Sequence, residues 1–467
     1  MSTEALAGAE SVTQNATAKK LILILGGGFA GAYTALHLEQ LLAQAPDVEI
    51  VLVAKENFVL FTPMLHEVAA VDVEATDIVQ PLRKMLRRTR VLIVDIESID
   101  IVKRQVDILH RELAEVFHIT YDHLVLAVGA VTNFYRIPGV EEHALTMKTL
   151  GDAIVLRNRM IEALDVADNH PDEGVCKAML TVVVAGGGFA GAETVGAVND
   201  LLREASKFYI NVKENMIRIV LVHAGETILP ELSESLGRYA QEQLGRRGVE
   251  IRLKTAVISY DGKEVVLNDG TRIATRLVVW TAGTAAPPIL AGLPCPMQRG
   301  RVVADEYLQV PGWPAVWALG DCALVPDVLN PGKFCPPTAQ HATRQAAVLA
   351  NNIASAMSGR ALQPFRYKTL GLLAAIGRRT GVAEIMGMRF SGIIAWLLWR
   401  TIYLSKLPGL PKKVRVALDW TLDLIFSKDI VELPTLRART VSVPEESSTP
   451  ITHEHSSPAV EHTQNRV

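Results

Sequence analysis

The chain has 467 residues, 49% of them hydrophobic and 21% charged, with a formal net charge of -3. That length exceeds one compact core and predicts two or three domains. The charge leaves no basic excess to neutralise phosphates, so no nucleic-acid partner is expected. Mean hydropathy is +0.22, yet no stretch reaches the ~18 to 20 apolar residues that span a bilayer, and no membrane-crossing helix is expected. Cys176, Cys295, Cys322 and Cys335 are scattered without a CxxC pair, which argues against a disulfide scaffold or a metal site and for a reducing compartment.

Residues 1–18 are small and polar and lack a basic segment before an apolar core. They are expected to be disordered and not a secretory signal. Leu21–Gly31 then reads LILILGGGFAG, an aliphatic strand feeding a glycine-rich turn and an Ala-rich helix. In G-x-G-x-x-G, Gly26 makes the tight turn, Gly28 leaves room for a pyrophosphate, and Gly31 lets helix and strand pack closely. The helix N-terminus turns its free N–H groups toward the phosphates. The next strand, Val48–Val53, is followed by Ala54, Lys55 and Glu56, where an acid gripping the ribose is expected. Lys55 is counted among the cofactor contacts at this strand end, with Glu56 one step further on as an alternative.

Thr181–Gly191 (TVVVAGGGFAG) repeats the first unit about 160 residues later, with Gly186, Gly188 and Gly191 in the same three roles and Glu193 directly after. The following strand, Arg218–Val222, ends in His223 where an acid would favour NADH over its 2′-phosphorylated form. That leaves the nucleotide preference open, and a surface residue without consequence is the other reading of His223. Glu193 also has two readings, a carboxylate favouring the helix dipole or a group beside the cofactor stack that relays charge or protons.

Toward the C-terminus, Gly392–Leu407 (GIIAWLLWRTIYLSKL) is strongly apolar but carries Arg400 and Lys406. After a break at Pro408–Pro411, Lys412–Phe426 places Lys412, Arg415, Asp419 and Asp423 on one stripe and Val414, Ala417, Leu418, Leu424 and Ile425 opposite. This predicts an amphipathic helix pair lying on a membrane, with Trp396, Trp399 and Tyr403 at the interface and a basic start toward anionic headgroups. Packing against the protein's own core or against a second copy in a homodimer is the competing reading. The tail 434–467, rich in Ser, Thr, Pro, Glu and His, is expected to be disordered.

With these units in place, roughly residues 20–430 resemble the type II NADH:quinone dehydrogenases, single-subunit flavoproteins of the two-dinucleotide-binding-domain superfamily. The blocks that carry the resemblance, beyond the glycine loops, are Asn57–Ala69 (NFVLFTPMLHEVA), His123–Gly139, Val278–Gly283 (VVWTAG), Trp317–Ala323 (WALGDCA) and Pro336–Gln345 (PPTAQHATRQ). The resemblance implies an α/β fold of two Rossmann-type domains with C-terminal amphipathic helices. The FAD domain (19–137 and 296–368) is expected to be interrupted by an NADH domain (138–295) and followed by a membrane-associating region (369–433). It implies FAD and NADH as cofactors, with Gly129, Gly283 and Asp321 among their contacts, and no metal. Gln340, Thr343 and Arg344 would line the quinone site, Arg344 standing where the family usually has the first of two paired glutamines. Glu193 and Gln340 are the expected catalytic residues. The implied reaction passes hydride from NADH to FAD and two electrons to a membrane quinone without pumping protons, on the inner, cytoplasmic face of the plasma membrane.

Three rivals remain at this stage. A disulfide reductase needs a cysteine pair near the flavin, and no cysteine precedes Cys176. A sulfide:quinone oxidoreductase could use Cys176 and Cys335 but has no need of an intact second glycine loop. A redox-sensing flavoprotein would bind its cofactor and turn over little.

Overall fold

A computed structural model describes residues 19–433; the ends 1–18 and 434–467, read above as disordered, lie outside the described residues. Two parallel sheets organise the chain. The first runs in the order Gln309–Val310, Trp313–Ala318, His123–Leu126, Lys20–Leu25, Val48–Ala54, Arg90–Ile93, with only the outermost pair antiparallel. Its strands come from both ends of the chain around an insertion. The second sheet takes all its strands from that insertion: Leu145–Thr146, Leu277–Trp280, Thr181–Ala185, Arg218–Val222, Val249–Arg252, all parallel. In each sheet the strand leading into a glycine loop has neighbours on both sides, so the chain order reverses beside it and opens a crevice at the strand C-termini.

The strands are continuous apolar runs because helices cover both faces. Ile22 to Leu25 and Val182 to Val184 are fully buried. Each unit also carries a three-stranded antiparallel meander, at Asp95–Thr120 in the first and Val257–Ala274 in the second. A short antiparallel ribbon, Val131–Thr132 with Thr284–Ala285, links the two units, and the Trp280 indole N–H donates to the Asn133 carbonyl across it at 2.8 Å.

The C-terminal region holds more than the expected helix pair. Strands Gly371–Ala375, Gly381–Ile385 and Met388–Ser391 form an antiparallel meander ahead of helices Gly392–Lys406 and Leu410–Leu422. The meander packs on the helix Phe189–Ala205 of the second unit, and so closely that a Cβ on Gly196 would lie 2.5 Å from the Ile376 carbonyl carbon. The region is therefore a layer of the core, contiguous with the second unit's hydrophobic cluster, rather than an appendage.

Candidate functional site

Both glycine loops make the same cradle, and each glycine answers to a different neighbour. Gly26 and Gly186 hold φ near +113° and +112°, a conformation L side chains rarely adopt. A Cβ on Gly31 would meet the Gly26 carbonyl oxygen at 1.9 Å, and one on Gly191 would meet that of Gly186 at 1.7 Å. The fold itself demands these four. Gly28 and Gly188 are different: a Cβ on either would meet nothing within 4 Å, and both have ordinary extended backbones. The protein does not need glycine there, whereas a phosphate seated against the loop does. Neither helix, Phe29–Leu41 or Phe189–Ala205, has a side-chain cap, while Thr149, Asp172 and Thr338 cap theirs. The first amides of the two nucleotide helices stay available to an anion.

Three distant segments converge on the first cradle. A Cβ on Gly26 would strike the Ala127 carbonyl, Gly129 follows with φ +71° and open space beside it, and the Cys322 thiol donates to the Leu126 carbonyl. This brings the half-buried Asp321 to the cradle's edge. Gln345, buried on helix Ala339–Met357, accepts the Gly320 amide at 2.9 Å and fixes that turn. Lys55 is exposed at the end of the second strand. Gly283 has φ +101°, and a Cβ there would collide with the Tyr135 hydroxyl at 2.2 Å, so the packing of the linking ribbon already accounts for a glycine at this position.

Glu193 is buried, and its surroundings come from the other end of the chain. One carboxyl oxygen accepts the Ala375 amide at 3.3 Å and the Trp399 indole N–H at 3.1 Å. The other lies 3.7 Å from His66 Nδ1, too far for a hydrogen bond. Burial pushes the Glu193 carboxyl up to about 8, against the two donated hydrogen bonds and with help from neighbouring Glu67. Burial likewise drives His66 down to about 3. Both shifts favour the uncharged forms and disfavour an ion pair at this contact. Glu67, also buried and raised chiefly by burial, accepts the Trp420 indole N–H at 2.9 Å. The aromatic rings of Phe29, Phe61, Tyr403, Trp399 and Trp420 run in contact from the first cradle to these acids.

This geometry corrects the interface reading of the C-terminal aromatics. Trp399 is 0% exposed and Trp396 6%, and both serve the interior. Part of the charged stripe turns toward the body: Lys412 Nζ donates to the Thr76 carbonyl at 2.8 Å and the Asp423 side chain is buried, while Arg415, 3.5 Å from Asp77, stays largely exposed. The exposed apolar residues are Ile393, Ile394 and Leu397 on one helix, Leu410, Val414, Leu418 and Leu422 on the other, then Ile425 and Phe426. A contiguous row of exposed leucines and isoleucines departs from the pattern of a water-facing surface.

At the other side of the first cradle, Thr338 caps the helix Ala339–Met357 by accepting the His341 amide. Gln340 is clamped: its amide nitrogen donates to the Gly371 carbonyl at 3.2 Å and its oxygen accepts the Tyr367 hydroxyl at 3.0 Å. Arg344 donates to the Gln340 carbonyl at 3.0 Å and stacks on Tyr367, 4.2 Å from the ring centre. Thr343 bonds back to the Ala339 carbonyl. The four free cysteines do not pair. Burial holds the Cys322 and Cys335 thiols up at about 11, the opposite of an activated thiolate, and Cys176 is buried with its thiol on the Ala167 and His170 carbonyls.

The sequence reading missed His66, Glu67, Trp399, Trp420, Tyr367 and Gln345 as a shell around the site. One signal was available: a His-Glu pair inside the apolar run Asn57–Ala69 cannot be buried without partners.

Two dinucleotide cradles on separate parallel sheets, the first discontinuous in sequence, define a pyridine-nucleotide flavoprotein oxidoreductase. Residues 20–346 match the pyridine nucleotide-disulphide oxidoreductase family, and residues 370–429 match the NDH2 C-terminal domain. A type II NADH:quinone oxidoreductase of Mycobacterium tuberculosis is 31% identical over 423 residues, covering 87% of this chain and 88% of that protein. This chain belongs to the type II NADH:quinone oxidoreductase family. In fold it resembles NDH2 of Plasmodium falciparum (TM-score 0.82, 21% identity, 88% of this chain and 100% of that one). The sulfide:quinone oxidoreductase of Aquifex aeolicus fits less closely (TM-score 0.66, 17% identity, 90% of this chain and 100% of that one).

Proposed function

We propose that the chain is an FAD-dependent NADH:quinone oxidoreductase that does not pump protons and works at a membrane surface. The observation that carries this is the pair of cradles whose middle glycines, Gly28 and Gly188, face open space. The first cradle would hold FAD and the second NADH, and the flavin would supply the chemistry that links hydride from the nicotinamide to two-electron reduction of quinone. The protein's own part is placement. Gly26, Gly28, Gly31, Gly129, Lys55 and Asp321 hold the flavin nucleotide, and Gly186, Gly188, Gly191 and Gly283 the nicotinamide nucleotide. Gln340, Thr343 and Arg344 line the quinone site. Glu193, protonated at neutral pH, holds one of the protons that the quinone must acquire.

Stopped-flow spectroscopy of the yellow holoenzyme tests this. NADH should bleach the flavin and a short-chain quinone should restore it. Bleaching without reoxidation would instead indicate a sensor. Gln340→Leu should raise the apparent KM for quinone about tenfold, as expected for losing one buried hydrogen-bonding partner, while sparing flavin reduction by NADH. An equal loss in both half-reactions would remove Gln340 from the quinone site.

The outward apolar face supports a membrane-surface placement. Among the described residues no helix is long and apolar enough to cross a membrane, and the helix pair offers a bilayer a row of leucines and isoleucines. We place the protein peripherally on the cytoplasmic face of the plasma membrane, where a long-tailed quinone is within reach. A second copy covering the same stripe in a homodimer is the alternative. Sedimentation with and without detergent, beside vesicle flotation, separates the two.

A further inference from the structure

We propose that the second nucleotide site takes NADPH as well as NADH, with Lys254 receiving the 2′-phosphate and Glu226 holding the free 2′-hydroxyl of NADH. This rests on the reading of the second glycine loop as the nicotinamide-nucleotide site. Dinucleotide folds place an acid at the end of the second strand to bind the ribose hydroxyls and repel a phosphate. Here His223 stands at that position, and its ring packs on the loop. Nδ1 accepts the Gly187 amide at 3.1 Å. A Cβ on Gly187 or Gly225 would lie 2.8 or 2.6 Å from the imidazole. Burial lowers the imidazole's pKa and so favours the neutral ring. His223 therefore braces the glycine loop with its Nδ1 lone pair, and burial disfavours a charge there for a phosphate.

The charges at this edge stand one turn further out. Strands Arg218–Val222 and Val249–Arg252 are parallel neighbours, so the turns after them lie together at the ligand edge of the sheet. The Lys254 amide donates to the Gly225 carbonyl at 3.0 Å and ties the two turns. The Lys254 ammonium pairs with Glu226 at 2.8 Å, with side chains 69% and 81% exposed. Such an exposed pair is weak. A 2′-phosphate offers Lys254 a dianion in exchange, as a charge-assisted hydrogen bond. Glu226 stays nearby and opposes that phosphate, which is why the site accepts both nucleotides rather than NADPH alone. The chemistry is unchanged: NADPH gives one hydride, the solvent one proton, and one quinone becomes one quinol and NADP+.

The test uses the full-length holoenzyme with NADH and NADPH in parallel, by anaerobic flavin bleaching and by steady-state quinone reduction. NADPH should bleach the flavin, with kcat/KM within about tenfold of NADH, the span that a single charge contact controls. Lys254→Ala should lower the NADPH value about 10- to 100-fold, the worth of a charged hydrogen bond, and change the NADH value by a smaller factor. Glu226→Gln should move the ratio the other way. The KM for NADPH should rise with ionic strength more steeply than that for NADH, because the contact is exposed to screening. If NADH bleaches the flavin and NADPH does not, the inference is wrong and the dehydrogenase reading stands. Equal losses for both nucleotides in Lys254→Ala also overturn it. If neither nucleotide bleaches, both readings fall together.

Discussion

The two nucleotide units share the stretch GGGFAGA and build the same cradle from it, yet they part company a few residues later. Tyr33 of the first helix has Glu193 as its counterpart in the second, and Leu36 has Gly196. The first helix is covered by helix Ala339–Met357. The second is covered by the C-terminal meander, admitted by Gly196 and bonded to Glu193 through Ala375. A repeat can therefore specify a generic phosphate cradle, while two substitutions on the helix behind it decide which part of the chain docks there. In this protein those substitutions bring the C-terminal layer against a buried acid on the second nucleotide helix.

The largest effects should come from filling the open cradles one at a time. Gly28→Val and Gly188→Val place a side chain where the protein has space and a ligand phosphate does not. Gly28→Val should give colourless protein with native far-UV circular dichroism. Gly188→Val should stay yellow and reducible by dithionite but lose bleaching by NADH more than about 100-fold, as expected when a nucleotide loses its seat. A yellow Gly28→Val protein, or normal NADH kinetics in Gly188→Val, would mean that the two units are exchanged or that the loops hold no phosphate. Gly31→Ala and Gly191→Ala meet backbone oxygens instead and should damage folding in both units alike.

A second contrast sets the inward side of the C-terminal layer against its outward side. Cutting the chain ahead of helix Gly392–Lys406 strips Trp399 from Glu193 and Trp420 from Glu67, so truncation should give misfolded protein and cannot isolate membrane binding. Leu397→Glu with Leu418→Glu alters only the exposed face. Each leucine that a bilayer covers contributes on the order of 1–2 kcal/mol, so the double variant should leave the membrane fraction at least tenfold more readily. It should keep NADH bleaching and lose activity with long-tailed quinone. Unchanged flotation with lipid vesicles would assign this face to another partner.

How much of this was readable before folding depends on how local each signal is. The glycine loops and their strands were legible because turn, phosphate space and helix start lie within about a dozen consecutive residues. The helix pair was legible from its periodicity, but its orientation was not. Periodicity shows that two faces differ; only the packed protein shows that Lys412 and Arg415 reach Thr76 and Asp77 while the aliphatic side faces out. The meander Gly371–Ser391 passed unnoticed because its strands are only four or five residues long and carry no strict alternation. The partners of Glu193 and Glu67 lie 206 and 353 positions away, and no local pattern reaches that far.

The smallest effect, and the sharpest test of how Tyr33 and Glu193 diverged, is the pH dependence of stability. Burial raises the Glu193 carboxyl from 4.5 to about 8, so the folded protein holds a proton that the unfolded chain releases above about pH 4.5. By linkage, this group's contribution is fully present below that pH and is lost as pH rises through 8, at no more than about 1.4 kcal/mol per pH unit. His66, driven down from 6.5 to about 3, acts in the opposite direction. Its contribution is present above 6.5 and is lost as pH falls toward 3. Glu193→Gln keeps an oxygen for the Ala375 and Trp399 N–H groups but cannot ionise. Its Tm should therefore match or trail wild type at pH 5 and exceed it by a few degrees at pH 8, roughly what 1–2 kcal/mol gives a chain of this size. Tyr33→Phe, at the matching position of the first unit, should show no such divergence over this range, since burial raises the Tyr33 phenol above its usual 10. If the Glu193→Gln difference were the same at both pH values, Glu193 would be ionised in the folded protein, and it could not hold the proton assigned to it.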